Sequence, residues 1–184
     1  PTLSKMRVKK AGSAVGEVKY VLVFGGGYDS RMDEQVRSER GSGDFLGSDV
    51  FIVDAITGTR LWSLKADDET SGPVDNVTDS IPGDIRVLDM DNNGELDRLY
   101  FGDTGGNIWR VDMKPSISSD GVFDIKPRLT HFADLGGRGE TTEDDDDRKF
   151  FYEPDTALRL NHGKPILTIA IGSGYRTHPL DLGD

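Results

Sequence analysis

The chain has 184 residues, and its 22 lysines and arginines against 33 aspartates and glutamates give a formal net charge of −11. This acidity argues against a nucleic-acid partner, because phosphate binding depends on lysine and arginine, and the apolar runs are too short to span a membrane as a helix. The absence of cysteine excludes disulfides, zinc–thiolate sites and thiol nucleophiles.

Apolar residues occur in short blocks that end at Gly, Asn or Asp, a pattern typical of strands joined by turns. Helical periodicity is weak throughout, so the sequence predicts an all-β fold. In chain order the predicted strands are Tyr20–Phe24, Val50–Asp54, Arg60–Leu64, Ile85–Asp89, Arg98–Gly102, Asn107–Asp112 and Pro165–Ile171. Two hairpins are predicted, one across residues 55–58 and one across residues 103–106, where glycine permits a tight reversal.

Similar segments recur along the chain. Val21–Tyr28 (VLVFGGGY) resembles Thr168–Tyr175 (TIAIGSGY), and Leu99–Gly102 (LYFG) is a shorter third copy. The copies are more widely spaced than the ~40–45 residues of a compact propeller blade. We therefore predict four-stranded blades with long loops, which the polar stretches supply: Asp29–Asp49, Ala66–Gly83, Ser116–Asp124 and Asp134–Arg148.

The predicted architecture is a partial β-propeller of about two and a half four-stranded antiparallel blades in a single domain over residues 1–184. The approximate blades are 1–66, 67–134 and 150–184, the last of them incomplete. Because a partial ring exposes strand edges and blade faces, we expect these to be covered by more of the ring or by an oligomer. The chain begins at Pro1 rather than Met, so we expect it to be part of a larger protein.

An acidic, glycine-containing turn carries the chemistry. Residues 89–97 (DMDNNGELD) follow the pattern D-x-D-x-N-G-x-x-D, in which alternating side chains converge on one point and glycine permits the sharp turn. Calcium prefers six to eight oxygen ligands. The predicted calcium ligands are the side chains of Asp89, Asp91, Asn93 and Asp97 and the backbone carbonyl of Glu95, whose own side chain is expected to point to solvent.

The turn does not match an EF-hand. An EF-hand has glutamate at position 12 of the loop and helices on both sides, whereas here Tyr100 holds that position and predicted strands flank the turn. Magnesium fits less well than calcium, because it resists losing its waters to an all-protein cage. A solvated Asx-rich turn without an ion remains the alternative.

Other motifs are less specific. The run Glu143–Asp147 is read as a solvated loop, with loose cation or partner binding as the alternative. Gly25–Gly27 is not followed by a helical pattern, so no phosphate-binding loop is predicted. No catalytic or cofactor-binding residue is predicted, since the histidines show no ligand spacing and the tryptophans are read as packing residues: His131, His162, His178, Trp62 and Trp109.

Several segments resemble known propellers. Asp54–Trp62 (DAITGTRLW) is similar to the repeat of quinoprotein-type propellers, and Gly102–Asp112 (GDTGGNIWRVD) continues that similarity. Phe151–Asp155 (FYEPD) and Gly172–Leu180 (GSGYRTHPL) resemble the C-terminal propeller of the PilC/PilY family of type IV pilus proteins. That family carries a calcium loop at the position of residues 89–97.

The resemblance implies a bacterial protein of the pilus tip, cell surface, outer membrane or periplasm. It implies roles in pilus assembly, in opposing pilus retraction, and in adhesion and twitching motility, with calcium occupancy as the regulator. Expected partners are pilus subunits, the outer-membrane pilus machinery and a host-cell receptor. We expect the family's large N-terminal region to lie outside these 184 residues, and the sequence contains no Arg-Gly-Asp tripeptide. The regulatory ligands would be Asp89, Asp91, Asn93, Glu95 and Asp97.

Three functions follow as hypotheses. The first is a non-enzymatic, calcium-dependent module of a pilus protein. The second is a quinone-dependent dehydrogenase, although a turn whose ligands all come from residues 89–97 leaves little calcium coordination for a quinone. The third is a structural propeller with an incidental ion.

Overall fold

The computed structural model describes residues 1–33, 46–67, 70–136 and 148–174. In this part the chain forms strands and short 3-10 turns without an α-helix, which confirms the predicted all-β class. No helix there has the length and apolar character needed to cross a membrane. In chain order the strands are β1 (Thr2–Val8), β2 (Glu17–Gly25), β3 (Val50–Asp54), β4 (Arg60–Ser63), β5 (Arg86–Leu88), β6 (Arg98–Gly102), β7 (Asn107–Ile117), β8 (Phe123–Asp134), β9 (Asp155–Asn161) and β10 (Lys164–Ala170).

The described strands form three antiparallel sheets. The first has the order β1-β2-β3-β4 and the second the order β5-β6-β7-β8, while β9 and β10 form a two-stranded hairpin. Strands adjacent in sequence are therefore adjacent in space. Both predicted hairpins are confirmed, as β3–β4 and β6–β7. That these sheets are blades of a propeller remains a prediction.

The sequence does not predict β1, β8 or β9. Neither β1 nor β9 contains the apolar block that marks the other strands. In the structure only Met6 of β1 is buried, and β9 is largely exposed. In β8, Pro127 reads as a strand breaker, yet it pairs with Met113 at the sheet edge, where proline is tolerated. Strand β7 runs past the predicted end at Asp112, so the loop to β8 is only residues 118–122.

The first two sheets enclose one hydrophobic core. Its members include Val21, Val23 and Ile52 from the first sheet and Leu99, Phe101 and Trp109 from the second. Trp62 and Trp109 both lie on strands and are buried, as expected of packing residues. Because burial of apolar surface is the main favourable term in folding, this core stabilises the second sheet and holds in place the ends of its strands, from which the turns begin.

The three repeated segments occupy equivalent places in the fold. Their first residues lie on β2, β6 and β10, which are the second strands of the three sheets, while Tyr175 lies outside the described residues. A Cβ on Gly25 would lie 2.4 Å from the Ile81 carbonyl oxygen, and one on Gly102 would lie 2.7 Å from Phe150 Cβ. Ile81 and Phe150 precede the first strands of the next two sheets by the same number of residues. Glycine in the repeat thus makes room for the chain entering the following sheet.

Candidate metal centre

The acidic turn joins the first two strands of the second sheet. Leu88 at the end of β5 pairs with Arg98 at the start of β6, and the Asp97 N–H donates to the Leu88 carbonyl over 2.9 Å. Residues 89–97 therefore form a closed connection between antiparallel strands. The flanking strands are as predicted, and the helices of an EF-hand are absent from both sides of this turn.

Three carboxylates of the turn converge. Asp89, Asp91 and Asp97 each offer one oxygen, and these atoms all lie within 4.8 Å of one another. Oxygens at about 2.3–2.6 Å from one calcium ion can be up to about 5 Å apart, so the separation suits ligands of a common ion. Asp89 and Asp91 are exposed and Asp97 is half-buried, which leaves the cluster open to solvent.

Backbone N–H groups hold these carboxylates in place. Asp89 Oδ2 accepts from Gly94 N–H over 2.7 Å, and the Asn93 N–H donates to Asp89 Oδ1 over 3.2 Å and to Asp91 Oδ1 over 3.1 Å. Desolvation raises the pKa of Asp89, but the backbone donors outweigh it and the pKa lies below its usual value. The turn thus favours an ionised Asp89, the form that binds a cation.

The backbone of the turn needs two left-handed residues. Asn92 has a φ of 62° and Gly94 a φ of 83°. Asparagine tolerates this region better than most residues and glycine adopts it freely. No atom in the described part of the chain lies within 4 Å of where a Gly94 Cβ would be, so the requirement for glycine there is conformational. The predicted role of Gly94 in the sharp turn is confirmed.

The other two predicted ligands have different surroundings. The Asn93 side chain lies within the turn, where its Oδ1 accepts from Glu95 N–H over 2.7 Å and its Nδ2 donates to Asp91 Oδ2 over 3.0 Å. The prediction that the Glu95 side chain points to solvent is wrong. It forms a bidentate ion pair with Arg7, and only 14% of the Glu95 side chain is exposed. Sequence reasoning missed this contact because Arg7 lies far away along the chain.

The three converging aspartates have no ion-pair partner among the described residues. Arg98 follows the turn directly, but its Nε donates to Asp112 Oδ1 over 2.6 Å. Across the described residues, no lysine or arginine forms an ion pair with Asp89, Asp91 or Asp97. Like charges at this separation repel one another, although the solvent around Asp89 and Asp91 screens part of the repulsion. A bound divalent cation would remove that repulsion.

A buried acidic residue was not predicted as a site. Asp103 is fully buried and accepts hydrogen bonds from Gly105 N–H, Asn107 N–H and Trp109 Nε1–H, the last over 2.7 Å. Burial raises the pKa of Asp103 to about 6, and the nearby Asp79 carboxylate adds to the rise. The only sequence signal is the spacing of aspartate, asparagine and tryptophan in residues 103–109, and the contacts give Asp103 a structural role in the β6–β7 turn.

The contacts of the remaining described motifs are those of packing and backbone structure. The His131 ring stacks on Trp109 with centroids 4.4 Å apart, and His162 lies in the β9–β10 turn with a φ of 49°. In the glycine run, the Gly26 N–H donates to the Asp49 carbonyl and the Gly27 N–H to the Ile81 carbonyl, so both are occupied by backbone. The acidic run Glu143–Asp147 and His178 lie outside the described residues.

The known proteins similar to the chain include two PilY1 proteins, although no protein-family profile matches it. One is the type IV pilus biogenesis factor PilY1 homolog of Xylella fastidiosa, with 28% identity over 98 residues, which cover 51% of the chain and 6% of that relative. The other is the crystal structure of the Pseudomonas aeruginosa PilY1 C-terminal domain, with a TM-score of 0.56 and 18% identity, covering 98% of this chain and 33% of that one. The chain is therefore similar to PilY1 proteins, as its motifs predict.

Proposed function

We propose that the chain is a non-enzymatic, calcium-binding module of a type IV pilus biogenesis protein. The observation that carries the proposal is the convergence of Asp89, Asp91 and Asp97 within 4.8 Å in a turn of calcium-loop sequence. The similarity to PilY1 proteins supports the pilus context. The module spans only a small part of the matched relative, so the activity of the whole protein is itself part of the proposal.

In this function calcium regulates pilus extension and retraction, and through them adhesion and twitching motility, at the bacterial surface. The turn joins β5 to β6, two strands of a sheet that shares the central core. An ion bound only by the folded turn stabilises that fold by mass action, and an ordered turn presents a defined surface to pilus subunits or to the pilus machinery. Propeller architecture is the arrangement in which we expect the sheets to act.

Calcium binding can be measured directly by calorimetric titration of the 184-residue chain. We expect one site in the range typical of extracellular modules, about 10⁻⁴ to 10⁻³ M, and weaker binding of magnesium. Asp91→Asn should abolish the heat of binding. Asp75→Asn changes an exposed aspartate outside the turn and serves as the matched control. Equal binding by Asp91→Asn and the unsubstituted chain would refute the site.

A test of the regulatory role requires the full-length protein in its own bacterium. Asp91→Asn should alter the number of extended pili and reduce twitching motility, whereas Asp75→Asn should leave both unchanged. Normal pili and motility in a variant that no longer binds calcium would instead favour a structural module with an incidental ion.

A further inference from the structure

The calcium turn is tied to the first sheet by a side-chain contact. Arg7 on β1 donates from Nε to Glu95 Oε2 over 3.0 Å, and its Nη2 bonds the second oxygen of the same carboxylate. The remaining guanidinium nitrogen, Nη1, donates to the Val15 carbonyl over 3.1 Å. The paired donors and the third bond hold the guanidinium plane in one orientation, so Glu95 meets a fixed partner.

A backbone contact runs beside this ion pair. The Leu96 N–H donates to the Lys5 carbonyl of β1 over 2.7 Å, and the Leu96 side chain is buried in the shared core. The next residue is fixed from within the second sheet, because the Met113 N–H donates to the Asp97 carbonyl over 2.8 Å. Residues 95–97 are thus held by β1, β5 and β7 together.

The first half of the turn has no such support. Residues 90–94 are exposed, and the hydrogen bonds described for them run to other residues of the same turn. The turn therefore consists of a supported half, residues 95–97, and an exposed half, residues 90–94. The Met90–Asp97 and Asn93–Glu95 hydrogen bonds already link the two halves, and an ion that bridges Asp89 and Asp91 to Asp97 would strengthen this link.

We propose that Arg7 is a positioning residue of the calcium site and that calcium binding is coupled to the contact between β1 and the second sheet. This inference rests on the proposed calcium function. Arg7 acts through Glu95, whose backbone carbonyl is a predicted ligand. The coupling is reciprocal: the β1 contact increases calcium affinity, and bound calcium stabilises the β1 contact.

The charge of Arg7 must be separated from its positioning effect. Loss of Arg7 alone removes a positive charge near the site, and the reduced Coulomb repulsion would by itself strengthen calcium binding. The double variant Arg7→Met with Glu95→Gln removes one positive and one negative charge, so the net charge of the protein is unchanged. A loss of affinity in that variant therefore cannot come from a change in the net charge of the protein.

The test is a calcium titration of this double variant beside a matched control. Lys9 lies just after β1 and pairs with Asp124 on β8 over 3.4 Å, so Lys9→Met with Asp124→Asn removes another pair between the same two sheets without touching the turn. We expect calcium binding about tenfold weaker in the Arg7/Glu95 variant and unchanged in the control. Arg7→Lys, which keeps the charge but loses the paired geometry, should fall between.

Amide hydrogen exchange supplies a second readout. Calcium should slow exchange of the Leu96 amide in the unsubstituted chain and much less in the Arg7/Glu95 variant. If the salt bridge is purely structural, its loss would lower stability equally with and without calcium and leave calcium affinity unchanged. That result would overturn this inference but not the proposed calcium function. Absence of binding by the unsubstituted chain would overturn the inference and the proposed function together.

Discussion

The Asp97 carboxylate accepts a hydrogen bond from the Met90 N–H over 2.6 Å. The last residue of the acidic turn is thereby joined to its second residue, and the turn is closed before any ion is considered. The bond brings Asp97 close to Asp89 and Asp91. A turn that already has this shape loses less conformational entropy on binding than a mobile one.

Gly94→Ala should weaken calcium binding. Its φ of 83° is strained for alanine by about 1 to 2 kcal/mol, and relief of that strain would displace the neighbouring ligands. Gly58→Ala is the control, because Gly58 has a φ of 72° and equally open surroundings in the β3–β4 turn. Urea unfolding should show similar destabilisation of both variants, while calorimetry should show lower calcium affinity only for Gly94→Ala. Equal affinity in the two would contradict the role of this backbone.

Gly102→Ala should destabilise the fold, because the new Cβ would lie 2.7 Å from Phe150 Cβ and 2.8 Å from Ile171 Cδ1. Overpacking of this kind costs about 1–3 kcal/mol. Gly172→Ala is the control at the equivalent repeat position, where no atom of the described residues lies within 4 Å of the new Cβ. Thermal unfolding should give a lower Tm for Gly102→Ala and little change for Gly172→Ala. Equal Tm values would show that the close approach is not a constraint.

Ionisation of Asp103 should be visible in the spectrum of Trp109. The folded-state pKa of about 6 exceeds the ordinary 3.8, so between these values the folded chain holds the proton more tightly than the unfolded chain. This group therefore lowers stability as the pH rises from about 4 to about 6.

The indole N–H resonance of Trp109, which donates to Asp103, should shift with a midpoint near the same pH in a ¹H–¹⁵N NMR titration. The Trp62 indole donates instead to the Thr70 hydroxyl and is an internal control. A Trp109 resonance that stays constant while the fold is intact would contradict the raised pKa.

The sequence predicts the parts of the fold whose cause is local. Strand β6 and the β6–β7 hairpin follow from an apolar block and a glycine-containing turn, and the sharp bend of the acidic turn follows from Gly94. These features depend on neighbouring residues, so one segment contains the information that sets them.

Features that depend on distant partners could not be predicted. Strand β1 is held by pairing with β2 and by contacts such as the Thr2 hydroxyl on the Ile85 carbonyl, none of which its own polar sequence reveals. The loop pattern predicts a solvent-exposed Glu95 side chain, because this position offers its backbone carbonyl to the ion. Its partner Arg7 enters only when the two sheets pack together.

The most direct test of the calcium site is a crystal structure of the chain grown with calcium, with anomalous scattering used to locate the ion. We expect one peak between Asp89, Asp91 and Asp97, with oxygen ligands at about 2.3–2.6 Å that include Asn93 and the Glu95 carbonyl. Ordered density for the turn without a peak at millimolar calcium, or a peak only at other carboxylates, would contradict the account.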